Sequence, residues 1–218
     1  MSGTEIWSWG ALFALGAFHG INPGMGWLFA VALGMQEQRR GAVWGAMIPL
    51  GVGHALAVAA ALLVALAAET VIPGHYVRWP VALLLIALGI SRLVRHRHPR
   101  WASMRVDMKR LTAWSFLMAT AHGAGLMVLP IFLHMTATAQ TAGQAAGHHV
   151  HGGMAASGPF AGLLATLVHG AGYLSVTAVV AWIVYEKLGV GLLRRAWINI
   201  DLIWAGALIA TGFLTVLM

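Results

Sequence analysis

Leu15-Gly-Ala-Phe-His19-Gly20-Ile-Asn22-Pro23-Gly24 lies in the middle of an apolar run covering residues 6–35, and its reading decides the fold. A hydrocarbon core ~30 Å thick needs about 20 apolar residues of helix. The run is too long for one straight span. Pro23 also lacks the N–H that an unbroken helix would donate to the His19 carbonyl. The stretch therefore predicts a membrane helix broken near its centre. Residues 1–9 carry no Lys or Arg, and the apolar run far exceeds a signal-peptide core, so the segment reads as retained.

Five further stretches are long and apolar enough to span: residues 41–67, 76–94, 111–135, 158–185 and 197–218. The composition agrees, being 60% hydrophobic and only 9% charged, too few charges to solvate the surface of a soluble domain. A soluble enzyme and a disordered chain are excluded on that ground, and the lack of cysteine excludes a disulfide scaffold. The net charge of +7 then reports orientation, not nucleic-acid binding. Arg39, Arg40, Arg92, Arg95, Arg97, Arg100, Arg105, Lys109, Arg110, Lys187, Arg194 and Arg195 all fall on one side, and Arg78 is the single exception. By the positive-inside rule that side is cytoplasmic. The expected fold is an all-α integral membrane protein with six transmembrane helices, N-out and C-out, in a bacterial inner (plasma) membrane. Trp7, Trp9 and Trp79 on one side, with Trp44, Trp101, Trp114 and Trp197 on the other, fit interfacial belts.

Six spans with an external N-terminus divide into three plus three of opposite orientation, residues 1–110 and 111–218, within a single membrane domain. Ala17-Phe-His-Gly20 in span one matches Thr120-Ala-His-Gly123 in span four, and each is followed by a proline, Pro23 or Pro130. Gly53-His54-Ala-Leu in span two matches Val168-His169-Gly-Ala in span five. Corresponding spans run in opposite directions, the pattern of an inverted-repeat transporter. Depth adds to similarity. His19, His54, His122 and His169 each lie 11 to 13 residues into their spans, roughly 16–20 Å at 1.5 Å per residue. Four histidines on four helices are thus expected in one layer near the midplane.

An ionisable residue inside a span is costly and is a functional candidate by default. Neutral imidazole is a borderline ligand for nickel, cobalt, zinc and copper ions. Asn22 lies at i+3 from His19. Met118 and Ser115 share a face with His122, and Thr166 and Tyr173 flank His169. Met25 offers a thioether suited to a softer metal. The His19 carbonyl, freed by Pro23, could bind a cation where it lines a cavity. Gly16, Gly20 and Gly24 form a ridge that predicts close helix packing. Asp201 is the one acid well inside a span, a candidate coupling group or interfacial cap. In the outer loop, residues 136–157, His148, His149 and His151 form a short cluster that reads as transient metal capture.

The first-span motif, Leu15-Gly-Ala-Phe-His19-Gly20-Ile-Asn22-Pro23-Gly24, resembles that of nickel/cobalt efflux permeases of the NicO type, in the LysE-like transporter superfamily. Gly51-Val-Gly-His54 is similar to their second-span histidine, and a histidine-rich loop is also a habit of the family. The resemblance implies a six-helix metal permease in which His19 and His54 handle the ion. It covers spans one and two; His122 and His169 rest on the repeat. Asn22 stands where those permeases commonly carry an acid, and Met25 where they carry a second histidine. Those departures favour a softer metal or another solute.

The leading expectation is a secondary transporter, not an enzyme, moving a transition-metal cation by alternating access around the midplane histidines, with lipid and the metal as partners and homo-oligomers left open. The chain holds no Gly-x4-Gly-Lys-Ser/Thr loop. Two alternatives stay open: an intramembrane metalloenzyme or haem- or metal-binding redox protein, and a LysE-like carrier of a small organic solute with histidines as proton relays.

Overall fold

Pro23 ends the first helix where the sequence places the break. The computed structural model describes residues 3–71, 74–94, 107–145, 158–188 and 200–217. Helix α1 (Gly3–Ile21) gives way to a single 3-10 turn (Pro23–Met25) and then to α2 (Trp27–Glu37). Asn22 caps the turn, its side-chain oxygen accepting from Gly24 N at 2.9 Å, as Asn does where a backbone donor would otherwise be unmatched. Gly26 follows at φ 149°, ψ −33°, a conformation open to glycine alone. One expectation is corrected here. The His19 carbonyl is not freed by Pro23, because Asn22 N donates to it at 3.2 Å. The 3-10 turn reclaims the acceptor that the α-helix loses.

Next come α3 (Arg40–Gly45) and α4 (Met47–Glu69), joined in one apolar stretch. Pro49 sits in the first turn of α4, where a missing N–H costs least. Beyond α5 (Gly74–Val94), a second break appears that the sequence reading did not assign. Residues 111–135 divide into α6 (Met108–Ala121) and α7 (Ala124–Ala145), bent by 60°. The bend falls at Gly123, whose φ is +70°, and not at Pro130, which lies inside α7. The chain continues in α8 (Gly158–Ile183), its π-helical extension (Val184–Leu188) and α9 (Ile200–Leu217). Among the described residues there is no strand.

Among the described residues, three helical stretches are long and apolar enough to cross a membrane, or four when α6 and α7 count as one bent span; α1 and α9 contribute shorter apolar helices. The exterior is apolar as well, with Val64, Leu83 and Leu217 at 70%, 69% and 82% exposure. Such a surface suits lipid.

Small residues set the packing. Helix α1 runs along α8, α4 lies against α6, α7 and α8, and α5 pairs with α9. A side chain on Gly16 would collide with the His169 carbonyl, and one on Gly172 with the Phe13 carbonyl. Glycine on both helices thus brings the two backbones together, as the ridge predicts for Gly16 and Gly20; Gly24 does not continue it, because it lies past the break, in the 3-10 turn. Gly53 performs the same service between α4 and the Thr112 carbonyl of α6. Gly89 and Gly212 do so between α5 and α9.

Candidate histidine site

Close approach of α1, α4 and α8 brings together three of the four predicted histidines. His19 occupies the last turn of α1, His54 the first half of α4, and His169 the middle of α8. Their exposures are 0%, 1% and 0%. Ring centroids are 5.0 Å apart for His19–His169, 5.3 Å for His54–His169 and 5.7 Å for His19–His54. The Nε2 atoms of His54 and His169 stand 3.1 Å apart.

Backbone carbonyls fix the tautomers. A carbonyl only accepts, so His19 Nδ1–H donates to Leu15 O at 2.7 Å and His169 Nδ1–H donates to Leu12 O at 3.2 Å. Each neutral ring is left with a lone pair on Nε2. For His54 and His169 to be hydrogen-bonded, the proton between them must belong to His54 Nε2. That leaves His54 Nδ1 as an acceptor with no partner, and His19 Nε2 is likewise buried without one. Buried nitrogens of this kind normally find a partner, and each unmatched one costs about 1–3 kcal/mol.

The surrounding residues sort into those that join the cluster and those that do not. Tyr173 joins it, its ring stacked on His54 at 3.9 Å and 8° and its hydroxyl donating to Met25 O at 2.6 Å. Asn22 is buried beside the break; its oxygen is engaged by Gly24, and its amide nitrogen has no partner. Met25 is 1% exposed and packs in the apolar core. Thr166 is turned to its own helix, donating to Gly162 O at 2.8 Å, and Ser115 donates to Leu50 O at 2.7 Å.

His122 stands apart from the triad. It ends α6 at the second break, with Nδ1–H donating to Met118 O at 2.8 Å. Trp204 of α9 is edge-on to both His122 and His19, at 5.5 Å and 4.8 Å. The indole stacks on Phe18 at 4.8 Å and 5°, and its N–H donates to His122 O at 2.9 Å. Sequence reasoning passed over Trp204 because tryptophans in apolar helices suggest membrane interfaces. Its place well inside the last helix was the available signal, since a buried indole needs an acceptor. Asp201 lies in α9, but its side chain falls outside the described ones; His148, His149 and His151 lie outside the described residues.

Chemically, the facing Nε2 atoms share a proton at hydrogen-bond distance, and their spacing can be compared with that of two imidazoles on one cation. Two imidazole ligands at 2.0–2.1 Å in tetrahedral geometry would place their nitrogens about 3.3 Å apart, close to the 3.1 Å seen. Of the facing pair only His169 has its Nδ1 held by a backbone carbonyl, the kind of contact that orients a histidine ring where it ligates a metal. The third ring is not aligned with the pair: His19 meets both others edge-on, at 71° and 74°. Accordingly, among the described residues no group of three or more His, Cys, Asp or Glu is placed to hold a metal ion as it stands. The arrangement is a closed pair with a third imidazole beside it. Comparisons with known protein families, with characterised proteins and with solved structures find no match for this chain.

Proposed function

We propose that the chain is a six-span membrane transporter that moves a transition-metal cation by alternating access around His19, His54 and His169. The observation that carries the reading is the trio of fully buried imidazoles from three helices. Two of them hold Nδ1–H on a backbone carbonyl and so present Nε2 to the cluster. The cation, as cargo, would enter between His54 and His169 in place of the proton they share, with His19 Nε2 turning in as a third ligand. Metal binding needs the imidazole lone pair free, so the His54 proton must pass from Nε2 to the unpartnered Nδ1 as the cation enters, leaving a neutral ring with Nε2 open. Nitrogen ligands without a carboxylate favour a borderline or soft ion such as Zn²⁺, Ni²⁺, Co²⁺ or Cu⁺.

Several features support the finer architecture of this proposal: N-out and C-out, with residues 1–110 and 111–218 as inverted halves. Each half opens with a helix that breaks just after a His-Gly pair, at Asn22–Gly26 and at Gly123. In both, the histidine Nδ1 donates to the carbonyl four residues back. Exchanging the halves converts the α1–α8 pairing into the α6–α4 pairing and leaves α5–α9 unchanged, and all three are close contacts. Discontinuous helices around a midplane site are how such transporters expose polar atoms within the bilayer. The first-span resemblance to NicO-type permeases points the same way, and a bacterial inner membrane is the proposed location.

Elemental analysis of protein purified without chelators tests the reading. Wild type is expected to retain a transition metal or to bind added Zn²⁺ near one per chain, and His54→Ala and His169→Ala are each expected to lose it. Equal metal binding by the wild type and both variants would refute the site.

A further inference from the structure

Of the three clustered histidines, His54 is the one whose ring no backbone carbonyl holds. His19 bonds back along its own helix, Nδ1–H to Leu15 O four residues earlier, and His122 does the same with Met118 O. His169 reaches across to Leu12 O of α1. The corresponding acceptor for His54 is Leu50 O, and that carbonyl is already used twice. The α4 ladder takes one lone pair, and the Ser115 hydroxyl of α6 donates to it at 2.7 Å. His54 Nδ1 is left buried with no partner.

What meets the ring instead is Tyr173 of α8. Its phenol lies on the His54 imidazole at 3.9 Å between centroids and 8° between planes. The phenol is itself fixed, fully buried and with its hydroxyl donating to Met25 O at 2.6 Å.

We propose that Tyr173 is a positioning residue for His54, holding by its face the one ring of the triad that no carbonyl orients, and so aiming its Nε2 at His169. The inference rests on the metal reading of the triad and adds what orients the third ligand.

The geometry gives the reasons. The bond that joins an imidazole to its Cβ has a broad torsional preference, so an outside contact must set the ring plane. A hydrogen bond at Nδ1 does this for His19 and His169. For His54 a flat neighbour does it, because turning the ring edge-on would drive its C–H into a phenol only 3.9 Å away. With that plane held, His54 Nε2 stays 3.1 Å from His169 Nε2, and the two rings lie 12° apart. Contact by a face also leaves Nδ1 uncommitted. A carbonyl would fix the tautomer along with the plane, whereas the phenol fixes the plane alone and lets the His54 proton move from Nε2 to Nδ1 when a cation enters. A tyrosine placed only to fill the core would need an acceptor for its hydroxyl, but not a parallel imidazole.

Zn²⁺ titration of the purified full chain tests the proposal. Tyr173→Leu is expected to weaken binding at least about tenfold, the range for a ligating histidine that loses its orienting contact. Tyr173→Phe keeps the ring and is expected to lose less than about threefold. Adding Ser115→Ala to Tyr173→Leu is the deciding step. It frees Leu50 O for His54 Nδ1–H, the bond that His19 already makes, and should recover at least about threefold of the lost affinity. A tyrosine that only fills the core predicts the opposite, a second loss on top of the first. Wild-type affinity in Tyr173→Leu, equal losses in the Leu and Phe variants, or no recovery with Ser115→Ala would overturn the proposal. Should Tyr173→Leu fail to fold, Tyr173→Met serves in its place. Nitrogen NMR of labelled histidine rings in the metal-free protein separates this inference from the metal reading. The His54 Nε2–H signal is expected in wild type and in Tyr173→Phe, and is expected to be lost in Tyr173→Leu. That pattern in a protein that binds no Zn²⁺ would retain the positioning role and reject the metal reading; an unchanged signal in Tyr173→Leu would reject the positioning role.

Discussion

Replacing Gly16 with Ala should damage the histidine site from a distance, through the packing of α1 on α8. A Cβ at position 16 would fall far inside van der Waals contact with the His169 carbonyl oxygen, and also 2.9 Å from its carbon and 3.0 Å from Tyr173 N. All three atoms are backbone, so none can rotate away. To restore ordinary contact the helices must part by about 1 Å or more. Leu12, one turn before Gly16 on α1, accepts the His169 Nδ1–H across the same interface at 3.2 Å, already the long end of a hydrogen bond. Separation on that scale breaks it and releases the His169 tautomer. Overpacking of this kind costs about 1–3 kcal/mol of stability, and loss of the contact that orients a ligating histidine lowers metal affinity by roughly 10–100-fold. The assay is Zn²⁺ titration of purified protein alongside thermal unfolding. Gly10→Ala and Gly170→Ala are the controls, because a Cβ at either position meets nothing within 4 Å. Wild-type affinity and melting temperature in Gly16→Ala would refute the coupling between helix packing and the imidazoles.

Gly123→Ala should destabilise the α6–α7 bend by about 1–2 kcal/mol, the cost of a left-handed backbone for a residue with a Cβ; urea or thermal unfolding in detergent reads it, and an unchanged midpoint would show that the bend relaxes freely. Removing His148, His149 and His151 together should raise the cation concentration needed for half-maximal transport while leaving maximal turnover intact; a fall in turnover alone would show that the loop does more than capture.

The first break could be read from the chain because proline is a covalent constraint: Pro23 cannot donate, and Asn22 beside it is a capping residue. The second break could not, because the positive φ of Gly123 is one of many glycines' options and nothing local selects it. Depth along a helix was legible from residue counting, and it correctly brings His19, His54 and His169 together. Azimuth around the helix was not, and residue counting gives no sign that Trp204 comes edge-on to both His19 and His122. Tyr173 was legible as the i+4 neighbour of His169, yet its partner proved to be His54 on another helix, a contact only tertiary packing creates. Asn22 illustrates the same limit: i+3 spacing shares a face with His19 only in an unbroken helix, and here the 3-10 turn diverts its oxygen to Gly24.

Cation flux through proteoliposomes is the most direct test of the triad as a transport site. Vesicles loaded with a metal-responsive dye should show Zn²⁺, Ni²⁺, Co²⁺ or Cu⁺ entry with the wild-type chain. That flux should be lost with His54→Ala and with His169→Ala, both still helical by circular dichroism. Flux in either variant equal to wild type, or none of the four ions moved by the wild-type protein, would contradict the function proposed for this site.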